Sequence, residues 1–172
     1  LCKWRDLKPK PAINDLENLL SDVESDEFKS RIFLSLGEIY LSIDNSELAF
    51  DNFDKGANLS KNRLLREQVY FQIAEISFKK MDYDKALESY QKVLNNTVSI
   101  TRIQDSNLKM VQIYRLRGEL EKSASKIQEL IIDEDFTSIK SDLDLELTKI
   151  EFDRGKIDFA IQNYDRIGKD YP

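Results

Sequence analysis

Residues 73–93 read IAEISFKKMDYDKALESYQKV, and this stretch contains one complete helix–turn–helix pattern. Apolar residues recur at helical spacing before the turn, which Met81-Asp82 carry. After the turn, Ala86, Tyr90 and Val93 follow one another at steps of four and three, which places their side chains on one face of a helix. The stretch therefore predicts two amphipathic helices joined by a short turn.

The same pattern returns every 37 residues along the chain. The columns are a small residue at Ala49, Ala86, Ser123 and Ala160, a bulky one at Phe53, Tyr90, Ile127 and Tyr164, and isoleucine at Ile39, Ile76, Ile113 and Ile150. A fixed period of this size is typical of stacked repeats, because a single helix pair cannot bury its apolar face alone. We therefore predict an all-α fold built from helix–turn–helix repeats, each with a first and a second helix.

The turns carry their own signals. Asn45 and Asp82 suit the cap of a second helix, and Gly118 and Gly155 suit the left-handed residue that ends a first helix. Before each repeat stand three further residues, and each triplet includes an apolar one: Phe28, Leu65, Ile103 and Ile139. Since three residues are close to one helical turn, they predict a first helix lengthened by a turn.

These residues resemble the tetratricopeptide repeat (TPR) over 30–172. The family's slots are matched best near the end of the chain, by Gly155, Ile157, Ala160, Tyr164, Ile167 and Pro172, and the stretch 82–87 is equally typical. Glu151 departs from the pattern by replacing the family's tyrosine, as Ser123 does by replacing its alanine. The resemblance implies a TPR-like solenoid, in which antiparallel helix pairs stack into a right-handed α-superhelix that binds other proteins.

The predicted organisation is a single repeat domain over 1–172. It comprises a partial unit at 1–29 and repeats at 30–66, 67–103, 104–140 and 141–172. In the partial unit we expect a second helix at 12–20, preceded by a turn at Lys8-Pro9-Lys10-Pro11. Both ends look cut, which favours a fragment of a longer array. Because exposed repeat edges are sticky, an uncapped last repeat predicts self-association.

Composition argues against several functional classes. The chain has no histidine and a single cysteine, so histidine-based nucleophile arrangements, thiolate zinc sites and internal disulfides are not expected. A net charge of −6 without a basic stripe argues against a nucleic-acid partner. No apolar run approaches the roughly 20 residues of a membrane span. We predict no enzyme activity, no cofactor and no metal, and interpret the acidic run at 133–135 as a solvated loop.

What remains is a surface. The resemblance implies that first helices line a concave groove, which would receive Leu34, Glu38, Leu41, Phe71, Gln72, Glu75, Phe78, Leu108, Gln112, Arg115, Leu145, Lys149 and Phe152. An apolar groove with a polar rim suits an amphipathic helix or an extended peptide. The alternative is that these side chains only pack against neighbouring repeats. The TPR subclass that binds the C-terminal carboxylate of chaperones is not expected here, because Glu38 and Glu75 would repel that negative charge.

We therefore predict a non-enzymatic protein-interaction scaffold. One alternative is a membrane-tethered assembly factor of the bacterial envelope with a lipid anchor at Cys2, since TPR lipoproteins of outer-membrane assembly look broadly similar to this chain. Against it, Cys2 is equally compatible with a small buried apolar residue in a truncated helix. A second alternative is a regulatory TPR domain of a larger protein. Cytoplasmic and bacterial periplasmic locations both stay open.

Overall fold

The computed structural model describes residues 9–170, and these form nine α-helices and one 3₁₀ helix, with no β-strand among them. The α-helices are α1 (Pro9–Asp22), α2 (Asp26–Ser42), α3 (Ser46–Leu59), α4 (Arg63–Lys79), α5 (Tyr83–Asn96), α6 (Ile100–Leu116), α7 (Leu120–Ile131), α8 (Lys140–Asp153) and α9 (Ile157–Asp170). The 3₁₀ helix spans Glu134–Ile139. The all-α prediction is confirmed.

The chain divides into two compact units, with the boundary inside α4, between Glu75 and Ile76. In the first unit, α1 packs on α2 and α2 packs on α3. In the second unit, each helix from α5 to α9 packs on the next one in sequence, and the first helices α6 and α8 also pack on each other. Within each unit the helices therefore pack in consecutive pairs.

The turns between first and second helices share one geometry. The backbone takes a positive φ, between 59° and 80°, at Asp44, Met81, Gly118 and Gly155. At Gly118 the amide donates to Arg115 O, and the next amide donates to the carbonyl five residues before it; the other three turns repeat both bonds. This is the Schellman motif, and it confirms the glycine prediction. Asp44 and Met81 adopt the same left-handed backbone conformation, although each of them has a Cβ atom.

The predicted helix caps are also confirmed. Asn45 Oδ1 accepts a hydrogen bond from the amide of Leu48 at 3.2 Å, and Asp82 Oδ1 accepts one from the amide of Lys85 at 3.2 Å. Each bond satisfies an amide that has no partner inside its helix.

The first helices α2, α4 and α6 have 17 residues each, whereas the second helices that follow them have 12 to 14. The prediction of a lengthened first helix is wrong for the last repeat, where α8 has 14 residues and follows the 3₁₀ helix. The acidic run predicted as a solvated loop at 133–135 is exposed and lies between α7 and α8, but it is not irregular, because it caps and begins the 3₁₀ helix. Asp133 caps the 3₁₀ helix through the amide of Asp135, and the buried ring of Phe136 holds it against the core.

The turn predicted before the first complete repeat is also wrong, because α1 already begins at Pro9. Pro9 and Pro11 both fall in the first helical turn, where a missing amide breaks no hydrogen bond. Lys8 lies outside the described residues. So does Cys2, and the alternative of a lipid anchor there is not tested by the structure.

Close contacts between α2 and α3 hold the first unit together. A Cβ on Gly37 would lie 2.5 Å from Cδ1 of Phe53, so only glycine lets the buried ring sit this close to α2. Nearby, the hydroxyl of Ser30 donates to the carbonyl of Gly56 at 2.7 Å. A further apolar cluster in this unit contains Ile13, Ile32, Leu36 and Ile39.

The second unit has its apolar core between α6, α7, α8 and the 3₁₀ helix. Its buried members are Val111, Ala124, Ile127, Leu130, Phe136, Leu143 and Ile150. Ser123, which replaces the usual alanine, is fully buried and donates its hydroxyl to Val111 O at 2.8 Å. The hydroxyl is thereby satisfied, so serine is accepted at this small-residue position.

Candidate protein-binding face

The groove residues predicted in the first unit lie at its surface or half-buried. Glu38 and Gln72 are exposed, while Leu34, Leu41, Phe71 and Glu75 are half-buried. Leu34 lies against α3, because a Cβ placed on Gly56 would come within 2.8 Å of its Cδ2 atom. Leu34 therefore contributes to packing between α2 and α3.

The second unit contains the other seven predicted groove residues. Phe152 is exposed, and six are half-buried: Phe78, Leu108, Gln112, Arg115, Leu145 and Lys149. Leu108 packs against the apolar core of the unit, so at this position the structural alternative holds at least in part. Ligand binding by these residues stays a prediction.

Three of the seven converge on one buried carboxylate. Glu146 has a side chain only 3% exposed, and it accepts hydrogen bonds from Lys149 Nζ at 2.7 Å, Arg115 Nε at 3.1 Å and Gln112 Nε2 at 3.3 Å. Arg115 also donates from Nη1 to Asp153 Oδ2 at 3.2 Å. Gln112 and Arg115 come from α6 and the other three groups from α8, so the network joins two first helices.

Burial on its own lowers the pKa of Arg115, because it removes water from the charged form. Hydrogen bonds to Asp153 and Glu146 oppose this effect and leave the pKa of the guanidinium above its ordinary value. Arg115 is therefore a permanent cation. With its partners fixed, it presents its remaining N–H groups in a defined direction.

An aromatic patch lies on the same unit. The ammonium of Lys109 is 4.7 Å from the centroid of the Phe78 ring, and the Tyr83 ring is tilted against Phe78 with centroids 6.3 Å apart. One turn beyond Lys149 on α8, Phe152 is 52% exposed. We define the α6–α8 face as the Glu146 network, the Lys109–Phe78 pair, in which Phe78 comes from the end of α4, and Phe152; its members are Phe78, Lys109, Gln112, Arg115, Glu146, Lys149, Phe152 and Asp153.

A cleft of about 860 Å³ lies elsewhere in the second unit, between α7, α8 and α9, and none of the predicted groove residues lines it. Its charged side chains largely neutralise one another. Glu151 pairs with Lys156 at 2.6 Å and with Arg154, and Arg154 reaches Glu121 at 2.7 Å. The hydrogen bond from Lys156 and then that from Arg154 outweigh burial and lower the pKa of Glu151.

The described residues contain no cluster of three or more histidine, cysteine, aspartate or glutamate side chains placed to hold a metal ion. None of the helices within 9–170 has the length and apolar character needed to cross a bilayer.

Residues 67–96, which include most of α4 and all of α5, match the family model described as Tetratricopeptide repeat. The chain carries a tetratricopeptide repeat. The resemblance seen in the sequence is thus confirmed at the stretch from which the analysis began. Comparison with curated proteins found no match.

Solved structures share the fold of this repeat protein. The crystal structure of the apo form of RapI superposes with a TM-score of 0.64 at 17% identity, and the match covers 96% of this chain and 65% of RapI. Two crystal structures of MamA give TM-scores of 0.59 and 0.60 at 16% and 18% identity, over 91% and 92% of this chain and 85% and 80% of MamA. At such identities the likeness concerns the fold alone.

The predicted groove residues leave out Glu146 and Lys109, although the sequence pattern places both on the wall of first helices, between the apolar columns. What the sequence does not show is that Glu146 is buried and that Lys109 lies over an aromatic ring. A signal was present in the column of Leu41, Phe78, Arg115 and Phe152, where a cation replaces an apolar residue. A cation that is largely removed from water, as Arg115 is, needs a carboxylate nearby, and Glu146 of α8 provides it.

Proposed function

We propose that this chain is a non-enzymatic scaffold that binds a helix or an extended peptide of a partner protein on the α6–α8 face. The observation that carries the proposal is the exposed Phe152 beside a polar network whose side chains already hold one another in place. Pre-ordered polar groups lose little conformational entropy on binding, and exposed aromatics are frequent anchors of protein interfaces.

The chemistry of the face specifies the ligand in outline. Both oxygens of Glu146 already accept hydrogen bonds, so the centre of the face offers donors, from Arg115 and Lys149, while Asp153 at its edge is a partly exposed acceptor. A bound segment would place a carbonyl or a carboxylate oxygen on these donors. An apolar side chain of the same segment would cover Phe152. The predicted groove residues of the first unit, from Leu34 to Glu75, stay candidates for contacts of their own.

The test is selection of binding peptides followed by measurement on matched variants. A random peptide library displayed on phage is selected against the full chain, and the affinities of the enriched peptides are measured by fluorescence anisotropy. We expect Phe152→Ala to weaken binding by about 1–3 kcal/mol with little loss of stability, because the side chain is half in solvent.

The matched control is Phe28→Ala, since Phe28 is 47% exposed on α2 and lies outside the face. It should leave the affinity unchanged. Peptides that bind Phe152→Ala as tightly as the parent chain would show that this face is not the binding surface.

A further inference from the structure

The cleft between α7, α8 and α9 is enclosed by three helices of the second unit, so its walls lie within the described residues. Its volume of about 860 Å³ is within the usual range of ligand sites. Phe159, Asn163 and Arg166 of α9 line it together with Ser125 and Gln128 of α7. The cleft is therefore a space between two consecutive second helices, with α8 as its floor.

Two replacements within the repeat make room in this cleft. Glu151 stands where the preceding repeat has Tyr114, and Ala124 stands where the preceding second helix has Leu87. The Tyr114 ring is half-buried, and its centroid lies 4.1 Å from the ammonium of Lys122 on α7. In the cleft, a carboxylate thus replaces an aromatic ring and a methyl group replaces a larger aliphatic side chain. The space that the tyrosine fills one repeat earlier is open here.

The charges of the cleft favour a neutral ligand. The floor holds Glu151 with its two cationic partners, Arg154 and Lys156. At the other end, Arg166 Nη2 lies 3.7 Å from Asp144 Oδ2. Each basic side chain of the cleft thus has an acidic partner, and an ionic ligand would have to compete with these pairs.

The walls offer neutral amides for hydrogen bonding. Gln128 on α7 and Asn163 on α9 form no side-chain hydrogen bond within the described residues. One repeat before Gln128, Gln91 donates to Asn95 at 3.3 Å, but Ile132 stands at the position that corresponds to Asn95. A side-chain amide both donates and accepts, so it can pair with the C=O and the N–H groups of an extended peptide.

We infer that this cleft binds an extended segment of a partner protein, which inserts an aromatic side chain above Glu151 in the space that Tyr114 fills one repeat earlier. The inserted ring packs against Phe159, which is 52% exposed, and the amides of Gln128 and Asn163 pair with the backbone of the segment. No residue of the α6–α8 face lines the cleft, so the inference does not depend on that face.

The probe is the capped peptide acetyl-Ser-Ala-Tyr-Ala-Ser-amide, which carries no charge. From Glu121 to Gln128, α7 rises by about 10 Å, which is the length of about three extended residues, so this peptide spans the cleft. It is titrated into the isotope-labelled full chain, and the shifts of amide signals in NMR spectra give the Kd. We expect saturable shifts at the walls of the cleft, and none when alanine replaces the tyrosine of the peptide.

Two variants of the chain test the position of the ring. Phe159→Ala should weaken binding about two- to tenfold, because an aromatic contact is lost, and it should fold normally because the side chain is exposed. Glu151→Tyr should abolish binding, because it restores the tyrosine of the repeat and fills the space. Phe28→Ala is the matched control, since Phe28 is 47% exposed and lies in the first unit, and it should bind like the parent chain.

The inference is overturned if the parent chain does not bind the tyrosine peptide, or binds the alanine peptide equally well. It is also overturned if Phe159→Ala binds with unchanged affinity, or if Glu151→Tyr does so while circular dichroism shows it folded. Loss of binding in Phe152→Ala but not in Phe159→Ala would place the peptide on the α6–α8 face and overturn the assignment of the cleft.

Discussion

At the scale of single residues, burial decides how much an ion pair contributes. Arg115 and Arg117 are two positions apart on the chain, and each contacts a carboxylate at about hydrogen-bond distance. The partner of Arg115, Glu146, is buried, whereas the partner of Arg117, Asp84, has a side chain 89% exposed. Removing a cation from a buried carboxylate leaves a charge that water cannot reach.

We therefore expect Arg115→Ala to lower the free energy of unfolding by about 2–4 kcal/mol, towards the lower part of the range for broken buried pairs, because Lys149 stays with Glu146. Arg117→Ala should have a much smaller effect, since its pair is largely in water. Urea unfolding of both variants measures the difference. Equal losses would contradict the assignment of Glu146 as a buried centre.

At the scale of helices and turns, the four residues with a positive φ differ in the backbone strain that this conformation imposes. Met81 adopts a φ of 62°, where an L-residue with a Cβ is disfavoured by about 1–2 kcal/mol, and its side chain is 74% exposed. Glycine removes that strain but adds freedom to the unfolded chain, an opposing effect of about 0.4–1 kcal/mol. We expect Met81→Gly to stabilise the protein by about 0.5–1 kcal/mol.

The matched control is Met81→Ala, which removes the same side chain but keeps the strained φ, and which should leave the melting temperature nearly unchanged. Thermal melts of the parent and both variants separate the backbone effect from any loss of packing. A Met81→Gly variant that melts no higher than Met81→Ala would show that the turn is not strained.

The turns and the second helices could be predicted from sequence because their signals are local. Asn45 and Asp82 act on amides three residues away, and the small residues from Ala49 to Ala160 recur at a constant interval. The 3₁₀ helix could not, because an acidic run favours solvent and the burial of Phe136 depends on contacts with other helices. The burial of Glu146 could not be predicted for the same reason, since it depends on Gln112 and Arg115 of α6, whereas Glu146 lies on α8.

At the scale of the whole molecule, the stability of the fold should depend on pH through the ionisation of Glu151. Its pKa is lowered in the folded chain by Lys156 and then by Arg154, against the opposing effect of burial. A lowered folded pKa contributes stability above the ordinary glutamate value of about 4.3, and this contribution disappears as pH falls through the folded pKa.

We expect Glu151→Gln to melt below the parent chain at pH 7, and the gap to close as the pH falls below about 4. Circular dichroism melts across this range measure both curves. Glu134→Gln serves as the control for removing one carboxylate, because Glu134 is exposed. A gap that stays constant down to pH 3 would mean that the charge of Glu151 does not stabilise the fold.

The even spacing of the turn residues Asp44, Met81, Gly118 and Gly155 also makes the chain modular in length. Excising residues 104–140 would join Ile103 to Ser141 and leave a hybrid first helix with the start of α6 and the body of α8. Arg154 would then take the place of Arg117 opposite Asp84, and Gly155 would take the place of Gly118. A whole repeat can thus be gained or lost at such junctions with the turn geometry and the ion pair of Asp84 kept, whereas Glu146 would lose Gln112 and Arg115 and keep only Lys149. Gain or loss of whole repeats in this way is a simple route by which arrays of this kind change their number of units.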